Sequence, residues 1–213
     1  MLNPNQINER QKLKIKLGLL QYDYIMKQKS NQYNQDFQKV YTDFYLSSQR
    51  IASQHAYFDG FSKFDSNTIV TEIEEYLFQN LTKIDKEGKV TNLGLHEFSF
   101  STKMLHTIDD SKPIFDSLIE DYLKNEEGLD LWWSNRHYKI KKGYTVKQII
   151  ENDWKLLSDW YSDRLKEINL RKGNGYDWID WFDKEFGNFM KANKISKVSD
   201  VKKIDFMIIA FMS

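Results

Sequence analysis

The chain has 213 residues, no cysteine, and equal numbers of basic and acidic side chains, which give a formal net charge of zero. This composition excludes a disulfide framework, a thiolate zinc site and an iron–sulfur cluster, and it provides no overall attraction to nucleic acid or anionic lipid. Aromatic residues make up 15% of the chain, whereas only two prolines and nine glycines interrupt it. These features favour an all-α fold over a sandwich or barrel, in a single compact domain over 1–213.

The amino-terminal part of the chain predicts two helices separated near Ser30. Charged residues interrupt the apolar ones too often for a signal peptide, and no apolar run is long enough to cross a membrane, so we expect a cytoplasmic protein. The helical spacing of apolar residues defines one stripe on each helix. The first stripe consists of Leu13, Leu17, Leu20 and Tyr24, and the second of Phe37, Val40, Tyr41, Phe44 and Tyr45.

The central part of the chain predicts three more helices. Apolar residues at helical spacing mark the first of them over 69–81, and the polar segment DKEGKVTNLG at 85–94 is predicted to be a loop. A helix then covers most of HEFSFSTKMLHTI at 96–108. After a turn containing Pro113, SLIEDYL at 117–123 begins the next helix.

The carboxy-terminal part predicts a further three helices, which gives about eight in all. RHYKIKK at 136–142 alternates in a way that suggests a short strand, and Thr145 and Gln148 have the spacing of a capping box. The long helix that follows ends before RKGNGYD at 171–177, whose glycines suit a helix end. The last two helices are marked by apolar residues from Trp178 and from Val201 onward. There is no fixed-period repeat and no long linker.

The stretch from Gly94 to Leu123 carries the most specific pattern in the chain. It contains a helix with Lys103, a polar turn, Pro113, two apolar residues, and Asp116 where the next helix begins. This arrangement resembles the core of the helix-hairpin-helix DNA glycosylase superfamily, in particular bacterial proteins similar to 8-oxoguanine DNA glycosylase. The resemblance implies an all-α glycosylase-like fold, with Asp116 as the catalytic aspartate and Lys103 as the nucleophilic lysine of bifunctional members.

The chain departs from the superfamily pattern in its hairpin turn, after the aspartate, in an extra residue between Pro113 and Asp116, and in the shorter separation of Lys103 from Asp116. The family holds a DNA phosphate on a glycine-containing hairpin turn, but no glycine lies between Gly94 and Lys103. Ser117 and Leu118 follow the aspartate, where the family usually has a histidine. A relative with a changed function therefore fits the pattern as well as an active enzyme does.

Asp116 and Lys103 are residue types that cleavage of an N-glycosidic bond requires. Positive charge develops on the sugar, so a nearby carboxylate can stabilise it or activate water, and a deprotonated amine can attack the sugar carbon. Each residue also has a simpler interpretation, since Asp116 can cap its helix and Lys103 can be a solvated lysine. The four histidines show no metal-ligand spacing, so no metal or cofactor is expected.

A basic stretch without acidic residues follows two adjacent tryptophans. We expect it to contact DNA phosphates. The tryptophans either stack on a base or wedge a turn into the core. The predicted nucleic-acid-binding residues are Arg136, Lys139, Lys141, Lys142, Lys147, Trp132 and Trp133.

The sequence thus predicts a DNA-base glycosylase-like protein that cleaves or recognises the N-glycosidic bond of a modified base. Two alternatives stay open. One is a non-catalytic helical module that binds protein or nucleic acid, and the other is an enzyme that acts on free nucleosides or nucleotides, which suits the zero net charge.

Overall fold

The computed structural model describes residues 3–46, 54–84, 87–170 and 178–212. These residues are mostly helical, which confirms the all-α class. Each of the eight predicted helices has a counterpart, and two short helices, α3 and α7, are additional. The helices are α1 (Glu9–Gln28), α2 (Gln35–Tyr41), α3 (Gln54–Asp59), α4 (Val70–Asn80), α5 (Phe98–Ile108), α6 (Ser117–Glu126), α7 (Arg136–Lys141), α8 (Val146–Leu170), α9 (Trp178–Ala192) and α10 (Asp200–Met212).

Shorter features of three kinds complete the described fold. A five-residue π-helical turn, Thr42–Leu46, continues α2, and two 3-10 turns lie at Pro4–Gln6 and Gly60–Ser62. Strands β1 (Thr82–Ile84) and β2 (Val90–Asn92) pair antiparallel after α4, with Thr82 opposite Asn92. None of the described helices has the length and apolar character needed to cross a bilayer.

Two of the local predictions are wrong. RHYKIKK forms α7 and its C-cap instead of a strand, and Lys142 N–H bonds back to Tyr138 O and Lys139 O at the helix end. The segment predicted as a loop after α4 contains β2, and its Gly88 adopts a positive φ of 80° between the two strands. The glycine-containing segment at 171–177 lies outside the described residues.

Helix α1 buries a different face from the predicted one. Leu13, Leu17 and Leu20 are 57%, 55% and 41% exposed. The buried face consists instead of Ile15, Gly18, Leu19, Tyr22 and Ile25. Apolar side chains form two stripes on this helix, and periodicity alone cannot tell which stripe faces the core. The contact with α10 decides between them.

Helix α10 runs through the centre of the molecule, and every residue from Val201 to Ile208 is buried. It packs on α1, α6, α8 and α9. At the crossing with α1, Gly18 lies directly against Phe206, so a β-carbon on residue 18 would be 2.7 Å from Phe206 Cε1. The absence of a side chain on Gly18 therefore sets how closely the two helices approach.

We predict that Gly18→Ala destabilises the protein by about 1–2 kcal/mol, because Phe206 is buried and must move. Gly187→Ala in α9 is the matched control, since a β-carbon there meets nothing within 4 Å. The control should be neutral or stabilising by up to about 1 kcal/mol through helix propensity. Urea unfolding of both variants measures the difference, and equal stabilities would contradict the close crossing.

His106 joins α5 to α1 and to the turn after α5. Its side chain is fully buried, its Nδ1 lies 2.6 Å from Lys112 O, and its Nε2 lies 3.2 Å from Tyr22 Oη. A carbonyl can only accept, so Nδ1 carries the proton and Nε2 accepts from the tyrosine hydroxyl. Burial, reinforced by the Lys202 ammonium, lowers the pKa of His106 to about 3.

We predict that this histidine makes the protein less stable in acid. Below about pH 6.5 the unfolded chain binds a proton on His106 that the folded protein does not bind, so folding stability falls as the pH falls. Between about pH 7 and pH 5 the loss from this group is about 2 kcal/mol. Urea unfolding at both pH values should show that loss in the native chain and not in His106→Gln.

Candidate functional site

A cavity of about 410 Å³ lies between α1, the π-helical turn, α5, the start of α6 and α10. Its volume is in the range of pockets that hold small molecules. Besides the exposed Lys14, four buried or half-buried charged residues line it from three parts of the chain: Lys103, Asp116, Lys202 and Asp205. Its remaining lining residues include Leu17, Gln21, Phe44, Tyr45, Ile114, Leu118, Phe206 and Ile209.

Asp116 both caps its helix and faces this cavity. Its backbone is extended, and its Oδ1 accepts hydrogen bonds from Leu118 N at 3.0 Å and Ile119 N at 3.1 Å. Its Oδ2 accepts no hydrogen bond from the described residues, and the side chain is half-buried. One oxygen therefore satisfies the helix start, and the other can interact with a ligand.

The apolar step before Asp116 is fixed on α5 by hydrogen bonds. Phe115 N donates to Thr102 Oγ1 at 3.0 Å, and Ser99 Oγ donates to Phe115 O at 3.0 Å. Pro113, Ile114 and Phe115 are all buried. Because α5 also carries Lys103, these bonds hold the aspartate and the lysine on one rigid unit.

Lys103 is buried in the cavity wall, so the solvated-lysine interpretation is wrong. Its side chain is 8% exposed, and Nζ donates a hydrogen bond to the carbonyl oxygen of Tyr45 in the π-helical turn at 2.9 Å. Burial lowers its pKa, and the carboxylate of Asp116 acts in the opposite direction. A lowered pKa increases the fraction of neutral amine at neutral pH.

The structure adds Lys202 and Asp205, which the sequence reasoning missed. Lys202 is only 2% exposed, and its Nζ lies 3.8 Å from Asp205 Oδ2. Burial lowers the pKa of Lys202, with the neighbouring Asp205 opposing that shift, and burial raises the pKa of Asp205 to about 7. Tyr161 Oη donates a hydrogen bond to Asp205 Oδ1. Charged residues inside the otherwise apolar segment VKKIDFMIIAFM were the signal that could have identified this pair.

Four aromatic rings surround the Lys202 amine. Its Nζ lies 5.1–5.3 Å from the ring centroids, which is within the range of a cation–π contact. The rings belong to Tyr22, Phe44, Tyr45 and Phe206.

The predicted nucleic-acid-binding stretch lies away from the cavity, and none of its residues is among those that line the wall. Several of its cations lie over aromatic rings of the same region. Lys139 Nζ is 4.0 Å from the Trp132 ring centroid, and Arg136 Cζ is 4.7 Å from that of Trp133. Lys141, Lys142 and Lys147 are exposed, and Lys147 lies 3.9 Å from Glu151.

The two tryptophans form a turn that is attached to α8. The carboxylate of Asp153 accepts from Trp132 N at 2.8 Å and from Trp133 N at 2.7 Å. Trp133 is buried against Phe98, and Trp132 is half-buried. This geometry fits tryptophans that fix a turn onto the core better than tryptophans that stack on a nucleobase. Binding of DNA by the surrounding basic residues stays a prediction.

A second polar cluster lies between α4 and the segment before α5. His96 Nδ1 is 2.6 Å from Glu74 Oε1, and the imidazole stacks on Phe78 with ring centroids 4.2 Å apart. Burial raises the pKa of Glu74, although the hydrogen bond from His96 opposes the shift. The described residues contain no group of three or more His, Asp or Glu side chains placed to hold a metal ion.

Comparison with known protein families, curated proteins and solved structures finds no significant match to this chain. The superfamily resemblance consequently depends on residues 94–123. The chemistry of the cavity is therefore inferred from its own side chains.

The two roles of Asp116 predict different effects for two substitutions. Asp116→Ala removes the cap and should cost about 1 kcal/mol of folding stability. Asp116→Asn keeps an oxygen at the Oδ1 position and should change the stability by less than about 0.5 kcal/mol. Urea unfolding distinguishes them, and an equally large loss in both variants would show that the negative charge itself stabilises the fold.

Proposed function

We propose that the cavity binds a modified nucleobase with its sugar and cleaves the N-glycosidic bond between them. The observation that carries this proposal is the free Oδ2 of Asp116, which faces a cavity that also contains buried lysine amines. A carboxylate used only as a helix cap needs neither an adjacent cavity nor adjacent amines. The resemblance over residues 94–123 independently favours the same chemistry.

Each cavity side chain has a role in this reaction. As the bond to the base breaks, positive charge develops on the sugar, and Asp116 Oδ2 stabilises it electrostatically in a site with little water. A lysine amine of lowered pKa attacks the sugar carbon and forms a covalent intermediate. The resemblance assigns that amine to Lys103. The apolar walls provide the surroundings in which an extruded base is held.

The zero net charge and the internal cation–π contacts of the basic stretch favour one variant of this proposal, in which the substrate is a free nucleoside. Both substrates present the same glycosidic bond to the cavity. They differ in the phosphate contacts that the protein surface must supply, and binding through phosphates weakens strongly as the salt concentration rises.

Base release from oligonucleotides that contain oxidised, alkylated or deaminated bases tests the proposal, with the corresponding free nucleosides assayed in parallel. Asp116→Asn should reduce release at least about 100-fold, because it removes the stabilising charge and keeps the cap. Asp121→Asn, at an exposed position of the same helix, is the matched control and should retain full activity.

Release from oligonucleotides that declines with salt would identify DNA as the substrate, and release from nucleosides alone would identify the free compound. Absence of release from every substrate, in a folded protein, would exclude the proposed reaction and favour a non-catalytic binding module.

A further inference from the structure

Two lysine amines share the cavity, and their surroundings differ. We propose that Lys202, and not Lys103, is the amine that forms the covalent bond to the sugar, with Asp205 as the group that accepts its proton. This assignment rests on the proposed glycosidic cleavage and names the residue that carries it out. It places the nucleophile on α10, outside the stretch that carries the superfamily resemblance.

The first reason is the hydrogen bonding of the two amines. Lys103 Nζ is held at 2.9 Å by the carbonyl oxygen of Tyr45, and no described carboxylate oxygen lies within 4.0 Å of it. The Lys103 amine is therefore held by a hydrogen bond and has no adjacent carboxylate that could accept its proton. Lys202 Nζ has no hydrogen-bond acceptor within 3.5 Å among the described residues, and its closest ionic partner is Asp205 Oδ2 at 3.8 Å, which is longer than a hydrogen bond. Its nitrogen is therefore free to approach a substrate.

The second reason is the state of Asp205. Its Oδ1 accepts from the hydroxyl of Tyr161, which fixes the orientation of the carboxylate. Its Oδ2 is buried and has no hydrogen-bond partner in the described structure. A buried oxygen without a donor is costly unless a donor arrives during function. The N–H of an attacking amine is such a donor, and a raised pKa makes Asp205 an effective proton acceptor near neutral pH.

The third reason is the aromatic enclosure of Lys202. Tyr22, Phe44, Tyr45 and Phe206 hold the end of the side chain in a site from which water is largely excluded. Desolvation is the largest cause of the lowered pKa of Lys202 and favours the neutral amine, although the cation–π attraction and Asp205 act in the opposite direction. The neutral amine is the nucleophile. The enclosure also limits the rotamers of the lysine and so fixes the direction of attack.

The reaction balances with these groups. Lys202 Nζ, as a neutral amine, bonds to C1′ of the sugar, the C1′–N bond breaks, and the base leaves with the bonding pair and takes up a proton from water. The ammonium formed on Nζ passes one proton to Asp205 Oδ2. The nitrogen pair then opens the sugar ring, so that O4′ leaves C1′ and takes that proton from Asp205, and a protonated C1′=Nζ imine results. Borohydride reduces this imine to a stable secondary amine.

An oligonucleotide duplex with a single abasic site and free 2-deoxyribose, used in parallel, test the assignment directly, because the C1′ aldehyde of each reacts with an amine whichever base the protein recognises. The native chain is incubated with each probe and borohydride, and the linked peptide is identified by mass spectrometry. We expect the linkage on Lys202. Linkage on Lys103, on other lysines only, or on none would overturn the assignment. This readout needs no variant, so misfolding does not obscure it.

Two variants provide the comparison. Lys202→Met, which keeps the length and apolar stem, should reduce the trapped product at least about 20-fold, whereas Lys203→Met should reduce it less than about 3-fold. Lys203 is the matched control, because it is the next residue on α10 and its Nζ pairs outward with Asp183 and Asp200. Circular dichroism shows whether each variant is folded. Trapping on Lys202 without base release from any substrate of the panel above would contradict the proposed function and leave the nucleophile assigned. Base release with trapping on Lys103 would support the proposed function and overturn the assignment to Lys202.

Discussion

The buried side chains of Lys103, Lys202 and Asp205 and the half-buried side chain of Asp116 line one cavity, and much of the surrounding structure compensates for that arrangement. An isolated charge in such a place costs far more free energy than a domain can supply, so each of the four needs a partner. Lys103 has a backbone carbonyl, Asp116 has two amides of its own helix, and Lys202 and Asp205 face each other. The compensation is incomplete at Asp116 Oδ2, Asp205 Oδ2 and Lys202 Nζ, and of these Asp205 Oδ2 is itself buried.

Ion pairs of this kind seldom increase stability, because apolar side chains of the same size would pack without a desolvation cost. The pair on α10 therefore suggests a purpose other than stability. Helix α10 is buried almost throughout and packs on four other helices, so it can present a side chain from a well-supported backbone. Groups that must be positioned closely for chemistry are best placed on such an element.

Features that depend on residues close together in the chain could be predicted from the sequence, and features that depend on distant residues could not. Thr145 and Gln148 lie three residues apart and cap each other as predicted, because all the atoms involved are local. The cap by Asp116 is equally local. The prediction of the buried face of α1 was wrong, because that face is set by the contact of Gly18 with Phe206, which is distant in the sequence. Lys202 and Asp205 were missed for the same reason, since only the folded chain brings them beside Asp116.

The exposed leucines of α1 have a consequence for access to the cavity. Leu13, Leu17 and Leu20 form an apolar ridge along one side of the helix, and Leu17 is also part of the cavity wall. A molecule that covered Leu17 would therefore cover part of the cavity wall. If that contact favoured or hindered a ligand in the cavity, the two occupancies would be thermodynamically linked, and each would change the affinity of the other by the same factor.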